Sequence, residues 1–477
     1  MTFTARQPLR ITQLSSWLKE GGAERVAINL HREFRSAGHD CTLVVGGFSG
    51  SDPDRNLSEP SVVRMPNDVD RTAWARFWLG TRDQIGRSSG LARRALASAA
   101  NNLAEPLRAR DRFLGREEFR FAGTSRLLDL NGQPDVIHAH NLHGGYFDLR
   151  KLPWLSHSVP VCLTLHDPWL LAGHCSYPFD CERWKTGCGN CPRLDIYPSV
   201  RRDATRANWQ TKSDIYRRSR IYLAAPSQWL LDQAKKSMLA DAVIESRKIP
   251  YGVDLSIFAP VRDRAEVRAK LGLPFDAQVI LYAANRLSTN PFKDFPTLRA
   301  AAERVGHDPT LKNTKLIFVA LGDSGKTEQL GAAEVRFVPF QDDVKVIAQY
   351  YQAADLFVHA ARADNFPNTI LESLACGTPV VATAVGGIPE QIRALEFDRP
   401  TGILTPVGDA QSMSSAICRL LNDSTLRRQM SINARVEAEA RFDLHAQRDA
   451  YLQWFDEMID ASTRNPEPAG SVNGGGR

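Results

Sequence analysis

No apolar run in this sequence approaches the ~18 residues that a bilayer-spanning helix needs, which argues against an integral membrane protein. The start, MTFTARQPLRITQLSSW, lacks a long apolar core ahead of a small-residue cleavage site. A signal peptide is therefore not expected, and the chain reads as cytoplasmic. No repeat of solenoid period is visible. Lysine is missing from residues 71–126, a segment with twelve arginines against five acidic residues. The formal charge of the whole chain is only +6, so this one segment accounts for the entire imbalance. A polycation spread along nucleic acid is a poor reading, and no nucleic-acid partner is expected; one basic surface facing an anionic partner stays open.

What is present is ordinary for a globular protein: 477 residues, 43% hydrophobic and 24% charged. That length exceeds one core and suggests two domains. Short apolar or β-branched runs alternate with amphipathic helical patterns from Leu9 onward, the rhythm of a parallel α/β sheet. LRITQLSSW reads as a first strand, GGAERVAINLHREFRSAGH as a helix from about Ala23 ended by Gly38, and DCTLVVGG as a second strand. A second series (AQVILYAANRL, TKLIFVALGD, EVRFVPF, ADLFVHAA, TPVVATAVGG) begins after IPYGVDLSIFAP. The expected division is a first domain over 1–250, a hinge at 251–260 and a second domain over 261–440. A helix over 441–461 is expected to pack back on the first domain, ahead of a disordered tail at 462–477. Two doubly wound halves would face each other across a ligand cleft at the carboxyl ends of their strands.

The stretch RADNFPNTILESLACGTPVV places Asp364 and Glu372 eight positions apart, around a strand end and a short helix. Pro367 suits a first helical residue and Gly377 a helix stop. Backbone N–H groups of Asn368 and Thr369 at that helix start would suit phosphate oxygens. Glu372 would reach ribose hydroxyls, and Asp364 would lie nearer a reacting sugar. The two acids could equally do no more than complement the helix dipole. A second glycine-rich turn, VGGIPEQI with Gly386, Gly387 and Glu390, favours a phosphate-bearing ligand. A departing diphosphate needs fixed cations, and ANRLSTNPFKDF supplies Arg286 and Lys293.

Together, the paired glycines Gly21 and Gly22, the Arg/Lys pair and the acid-x7-acid segment followed by ACGTPVVAT resemble a family 4 retaining glycosyltransferase of the GT-B fold. The resemblance covers nearly the whole chain except residues 71–126 and the tail. It implies that Arg286 and Lys293 hold the donor diphosphate, that Gly21 and Gly22 face it, that Glu372 holds the ribose, and that Asp364 and His166 approach the transferred sugar. The family usually shows Glu where this chain has Asp364, one methylene shorter, and Asn290-Pro291 lengthens the interval between Arg286 and Lys293. A sugar would pass from a nucleotide diphosphate to a saccharide or lipid-linked saccharide acceptor with retention. The leaving phosphate oxygen would take the acceptor's proton, so neither a protein base nor a catalytic metal or cofactor is required. Without the resemblance, His166 reads as a structural histidine beside Asp167.

Cys175, Cys181, Cys188 and Cys191 lie within HCSYPFDCERWKTGCGNCPRL, inside an insert over 174–192. Their spacing is compatible with a structural zinc held by four thiolates, or with four reduced thiols on a loop. A similar insert occurs in an exopolysaccharide-building subgroup of these transferases. In the arginine-rich segment, Trp74, Phe77, Trp78 and Leu79 are interleaved with arginine. This suits either an interfacial helix on anionic lipid, hence peripheral attachment to the cytoplasmic face, or a solvated helix pair packed on the first domain. Two further readings stay open, a GT-B-fold nucleotide-sugar epimerase and a non-catalytic sugar-nucleotide or nucleic-acid binding module. The donor base and sugar would depend on residues 338–340 and the surroundings of His166.

Overall fold

The computed structural model describes residues 7–18, 21–47, 60–86, 90–284 and 290–464. Contacts divide the chain into two units, 1–224 with 231–247 and 448–477, and 225–230 with 248–447. Residues 251–260, expected as the hinge, belong to the second unit. The reason is local: the Gly252 N–H donates to Gln447 at 2.8 Å and the Val253 N–H to the Phe442 carbonyl at 2.8 Å. The last helix, Leu444–Arg464, runs through residues 462–464, which the sequence had suggested were tail; the rest of that tail lies outside the described residues.

The first unit is built on a seven-stranded sheet of β1 (Arg10–Trp17), β2 (Asp40–Gly47), β3 (Val62–Arg64), β4 (Val136–Ala139), β5 (Val161–Thr164), β6 (Ile221–Ala225) and β7 (Val243–Lys248). Its order is β3-β2-β1-β4-β5-β6-β7, with parallel pairing from β3 through β6. Strands buried on both faces read as continuous apolar runs, as in VVGG and VCLT, which is why the sequence rhythm locates them. The order reverses between β1 and β4, so the segments leaving these strands diverge and open a crevice at their carboxyl ends. His140 and, one strand further, His166 leave the sheet there.

The second unit repeats the plan with β8 (Gln278–Ala283), β9 (Leu316–Leu321), β10 (Glu328–Leu330), β11 (Ala333–Val338), β12 (Leu356–His359), β13 (Val380–Thr383) and β14 (Gly402–Thr405). The order is β10-β11-β9-β8-β12-β13-β14, parallel except for the β10–β11 edge hairpin. Its reversal lies between β8 and β12. Lys293 follows the first of these strands and Asp364 the second, so topology alone brings together two residues 71 positions apart in sequence.

Residues 71–126 form three helices, Ala73–Gly86, Leu91–Ala104 and Pro106–Phe113. Ala75, Leu79, Ala100 and Ala104 are buried, while Phe77 is 65% and Leu91 86% exposed. Trp74, Leu103, Leu107 and Phe113 are exposed as well. The insert thus packs through one face and leaves a second apolar face uncovered. Part of its arginine charge is answered locally, by Arg108 and Arg112 on Glu118 and by Arg126 on Asp70.

Candidate active site

In the second unit the segment after β8 folds back on the segment after β12. The Asp294 N–H donates to the Ala360 carbonyl (3.1 Å) and the Arg362 N–H to the Phe292 carbonyl (3.0 Å), which fixes Lys293 beside Ala361. Lys293 Nζ then donates to Asp364 Oδ2, and His359 Nε2 approaches the same oxygen at 3.1 Å. Burial works against the charge on Asp364, but the Lys293 ammonium and the His359 hydrogen bond overcome it and hold the carboxyl well below its usual range. Burial, followed by Lys293, lowers His359, which therefore stays a neutral donor to Asp364. His359 was missed in the sequence because a histidine closing the apolar strand LFVH reads as core. Its signal was its position, at the carboxyl end of a strand flanking the sheet reversal. Arg286, the expected partner cation, lies outside the described residues.

The glycine turn after β13 sets Asp364 from below. Gly386 has φ +57, and a Cβ there would stand 1.9 Å from the Asp364 carbonyl oxygen. The Gly387 N–H donates to the Asn365 carbonyl at 2.9 Å, and a Cβ on Gly387 would meet that oxygen at 2.2 Å. These glycines serve close backbone approach to the Asp364 loop. Glu390, which the sequence suggested as part of a second ligand turn, instead accepts from the N–H groups of Gln228 (2.9 Å) and Trp229 (2.8 Å). It is a cap for the helix Gln228–Lys235, anion at an N-terminus as the helix dipole favours.

The helix Asn368–Ala375 begins after Pro367, which is its N-cap rather than its first residue, and carries no side-chain cap. Its first turn presents the backbone of Asn368 and Thr369. The Thr369 hydroxyl is buried and has no hydrogen-bond partner among the described residues. A buried orphan at a helix N-terminus is a place for an acceptor oxygen to bind. Glu372 lies one turn further in, buried, with Oε2 accepting from the Tyr351 hydroxyl at 2.9 Å. That hydroxyl, another residue the sequence did not reveal, orients the carboxylate.

In the first unit Gly21 is the N-cap of the helix Gly22–Ser36. A Cβ at Gly21 would come within 2.6 Å of Glu24 Oε2, and Glu24 accepts from the Ser16 hydroxyl at 2.9 Å. Burial raises the Glu24 carboxyl. Gly21 therefore makes room for an internal acid near the helix start. His166 is buried and does not pair with Asp167: its Nε2 lies 2.8 Å from His140 Nδ1, while Asp167 takes His143 Nε2 at 2.9 Å and the Trp169 N–H at 2.8 Å. Burial, then His140, keeps His166 well below the ordinary imidazole range.

The four clustered cysteines are free. Burial first, then charge on Cys188, Cys191 and Cys181, pushes the Cys175 thiol up to about 12, so the four sit near one another. Cys188 Sγ accepts from the Gly173 N–H at 3.3 Å and Cys191 Sγ lies 3.4 Å from His174 Nε2. Among the described residues no three His, Cys, Asp or Glu side chains are gathered as a metal site. The thiols as placed do not form a ligand cage, and no step is assigned to a metal.

Two doubly wound sheets, each with its own set of switch-point residues, define a class, and the comparisons agree with it. Residues 20–257 match Glycosyltransferase Family 4, and residues 263–437 match Glycosyl transferases group 1. The chain belongs to glycosyltransferase family 4 and is a nucleotide-sugar glycosyltransferase of the GT-B fold. It is 27% identical over 395 residues to the colanic acid biosynthesis glycosyl transferase WcaC of Escherichia coli, covering 79% of this chain and 83% of that protein. It is 31% identical over 345 residues to a D-inositol 3-phosphate glycosyltransferase of Saccharomonospora viridis, covering 69% and 72%. Among solved structures, sucrose-phosphate synthase from Thermosynechococcus elongatus aligns with TM-score 0.61 and 20% identity over 96% of this chain and all of that one. Anabaena Alr3699/HepE in complex with UDP and glucose aligns with TM-score 0.59 and 17% identity over 94% and 99%. At those identities the structures speak for the fold.

Proposed function

We propose that this enzyme transfers a sugar, with retention, from a nucleotide diphosphate to a saccharide or lipid-linked saccharide in exopolysaccharide or cell-surface glycan assembly. The Lys293–Asp364–His359 cluster at the sheet reversal carries the reading: a fixed cation for a leaving diphosphate beside a carboxylate kept ionised for a sugar. Glu372, Asn368 and Thr369 would hold ribose and phosphate and Arg286 would join Lys293; from the resemblance, Gly21 and Gly22 are assigned to the diphosphate and His166 to the transferred sugar. The names of WcaC and HepE support glycan assembly and a uridine nucleotide as the first donor to try. In a thermal-shift series the cognate nucleoside diphosphate at 100 times its Kd should stabilise the protein by about 2.7 kcal/mol, the others less. Labelled nucleotide-sugar should then turn over only when a saccharide acceptor is added. Turnover without acceptor would instead support the epimerase reading.

We assign the uncovered apolar face of the insert to an anionic membrane surface. Exposed Trp74, Phe77 and Phe113 would seat in the interface while neighbouring arginines meet lipid phosphates. No described helix is long and apolar enough to cross a membrane. Flotation with vesicles containing phosphatidylserine should recover the protein, and zwitterionic vesicles should not. Trp74→Ser with Phe77→Ser should abolish recovery; unchanged recovery would sink the assignment. A structural zinc on Cys175, Cys181, Cys188 and Cys191 rests on sequence spacing alone, and metal analysis of the purified chain decides it.

A further inference from the structure

His143 leaves the first sheet after β4 and Asp167 after β5, beside the reversal of strand order. His143 Nε2 lies 2.9 Å from Asp167 Oδ2, and Asp167 Oδ1 accepts from the Trp169 N–H at 2.8 Å. Burial opposes the charge on Asp167, but His143 and these hydrogen bonds outweigh it and hold the carboxyl below its usual range. An ionised carboxylate only accepts, so His143 Nε2 is the donor and that side of the ring is spent. The other nitrogen, Nδ1, is buried and has no hydrogen-bond partner among the described residues. Such an atom has lost its hydration with nothing in exchange, and an incoming polar group gains most there.

Charge decides which group fits. Burial disfavours the imidazolium of His143, but Asp167 and then Glu24 and Glu117 outweigh it and raise the ring above its ordinary value. In the charged ring Nδ1 offers a proton, and in the neutral ring it offers a lone pair. A sugar hydroxyl answers both, since it accepts and donates, whereas a phosphate oxygen answers only the first. His143 borders a hollow with Asn141, His166, Asp167 and Trp169, and among the described residues no lysine or arginine lines it. The Lys212 ammonium, 3.6 Å from the Trp169 ring centroid, is spent on the Trp169 and Ala172 carbonyls and on Glu117. A phosphate entering the hollow would meet the Asp167 carboxylate without a cation to offset it. Saccharide sites also need an apolar wall, and Tyr197 supplies one. Its ring is 51% exposed and stands edge-on to His143, with centroids 5.7 Å apart. The cysteine-rich insert holds it there: the Ser176 N–H donates to the Tyr197 carbonyl at 2.8 Å, and His174 Nδ1 to the Pro198 carbonyl at 3.1 Å.

We propose that His143 and Tyr197 form a subsite for an uncharged sugar ring of the acceptor, with a hydroxyl on His143 Nδ1, the Tyr197 ring along the sugar's C–H face, and Asp167 as the positioning residue that fixes the imidazole. Naming this sugar the acceptor rests on the transferase reading, whereas the binding of a neutral saccharide here does not.

The histidine Cε1–H resonances of the full chain, with His143 assigned by its loss in His143→Asn, report binding without turnover. Titration with the methyl glycosides of glucose, galactose and mannose should move the His143 signal with at least one of them. The 6-phosphates of the same sugars should bind there about tenfold more weakly or worse. A His143 signal unmoved by all three glycosides up to their solubility, or a phosphate that binds more tightly, overturns the proposal. Tyr197→Ala, a change at an exposed ring, should weaken the binding roughly five- to tenfold, the worth of one aromatic contact, while Tyr197→Phe should keep it. Equal loss in both variants, or loss in neither, removes Tyr197 from the subsite. In turnover with an acceptor ending in the sugar so identified, Tyr197→Ala should raise the acceptor KM by a similar factor and leave the donor KM nearly unchanged. A rise in the donor KM instead overturns the acceptor assignment. If a neutral glycoside binds at His143 but the native protein consumes no nucleotide-sugar, the saccharide subsite stands and the transferase reading fails.

Discussion

Lys293→Ala is expected to lower kcat/KM by about two to three orders of magnitude, the usual loss when a preorganised partner of developing charge is removed. It should also destabilise the fold, because Asp364 is left buried without its counter-charge, a defect of about 3–5 kcal/mol. The sign of the pH dependence follows. In the native protein the Asp364 carboxyl is depressed, so its contribution is present above the unfolded carboxyl range and is lost as pH falls through the folded value. In Lys293→Ala the burial that opposes ionisation is no longer outweighed by the ammonium, and the carboxyl moves up. The stability gap between native and variant should therefore be widest at neutral pH and close as the solution is acidified below about pH 4. Denaturant titrations of both proteins across that range check it. Asp364→Asn added to Lys293→Ala should recover most of the stability and none of the activity. Recovery of both would show that Lys293 serves only the fold.

Gly386→Ala is the second large effect. The added methyl would meet the Asp364 carbonyl oxygen at 1.9 Å, a backbone atom that cannot rotate aside, in a residue whose φ is +57. We expect a loss of about 3 kcal/mol or more and a fall in Tm of about 10 °C, with activity lost because Asp364 is displaced. Gly408→Ala is the control. Its φ of +75 imposes the same backbone penalty, but nothing lies within 4 Å of its Cβ, so it should cost only about 1 kcal/mol and leave activity intact. Equal costs for the two variants would remove the contact with Asp364 from the explanation.

The sheets were legible because parallel strands buried on both faces leave apolar runs such as LIFVAL, and the helices between them leave a helical period. The pairing of Lys293 with Asp364 was legible as position, each following a strand at the sheet reversal, although their direct contact was not. Hydrogen bonds among side chains left no such trace. His359 and Tyr351 sit in apolar surroundings where sequence suggests only core. Glu390 looked like a ligand acid in VGGIPEQI because capping and anion binding use the same chemistry in opposite roles. The fully buried His138 and His140 had left one mark, since alternate residues of a strand share a face and VIHAH puts both histidines on one. Gln13, whose side-chain amide lies 3.2 Å from His140 Nε2, could not be joined to them without the β1–β4 register. The supposed hinge at 251–260 looked aperiodic because its backbone bonds to residues 442–447, far along the chain.

The way the chain is shared between the two units has a consequence for its synthesis. Tyr451, Trp454 and Phe455 in the helix Leu444–Arg464 are fully buried in the first unit, with the Tyr451 hydroxyl 2.8 Å from Thr164 Oγ1 and the Phe455 ring 5.6 Å from Phe34. A ribosome delivers the amino terminus first, and domains ordinarily fold in that order. Here the earliest-made sheet cannot close its interior until the last helix has emerged, while the second unit, nearly continuous over 248–447, is complete before then. The half that starts first finishes last, and a ribosome stalled short of residue 448 would hold a finished second unit beside an open first one.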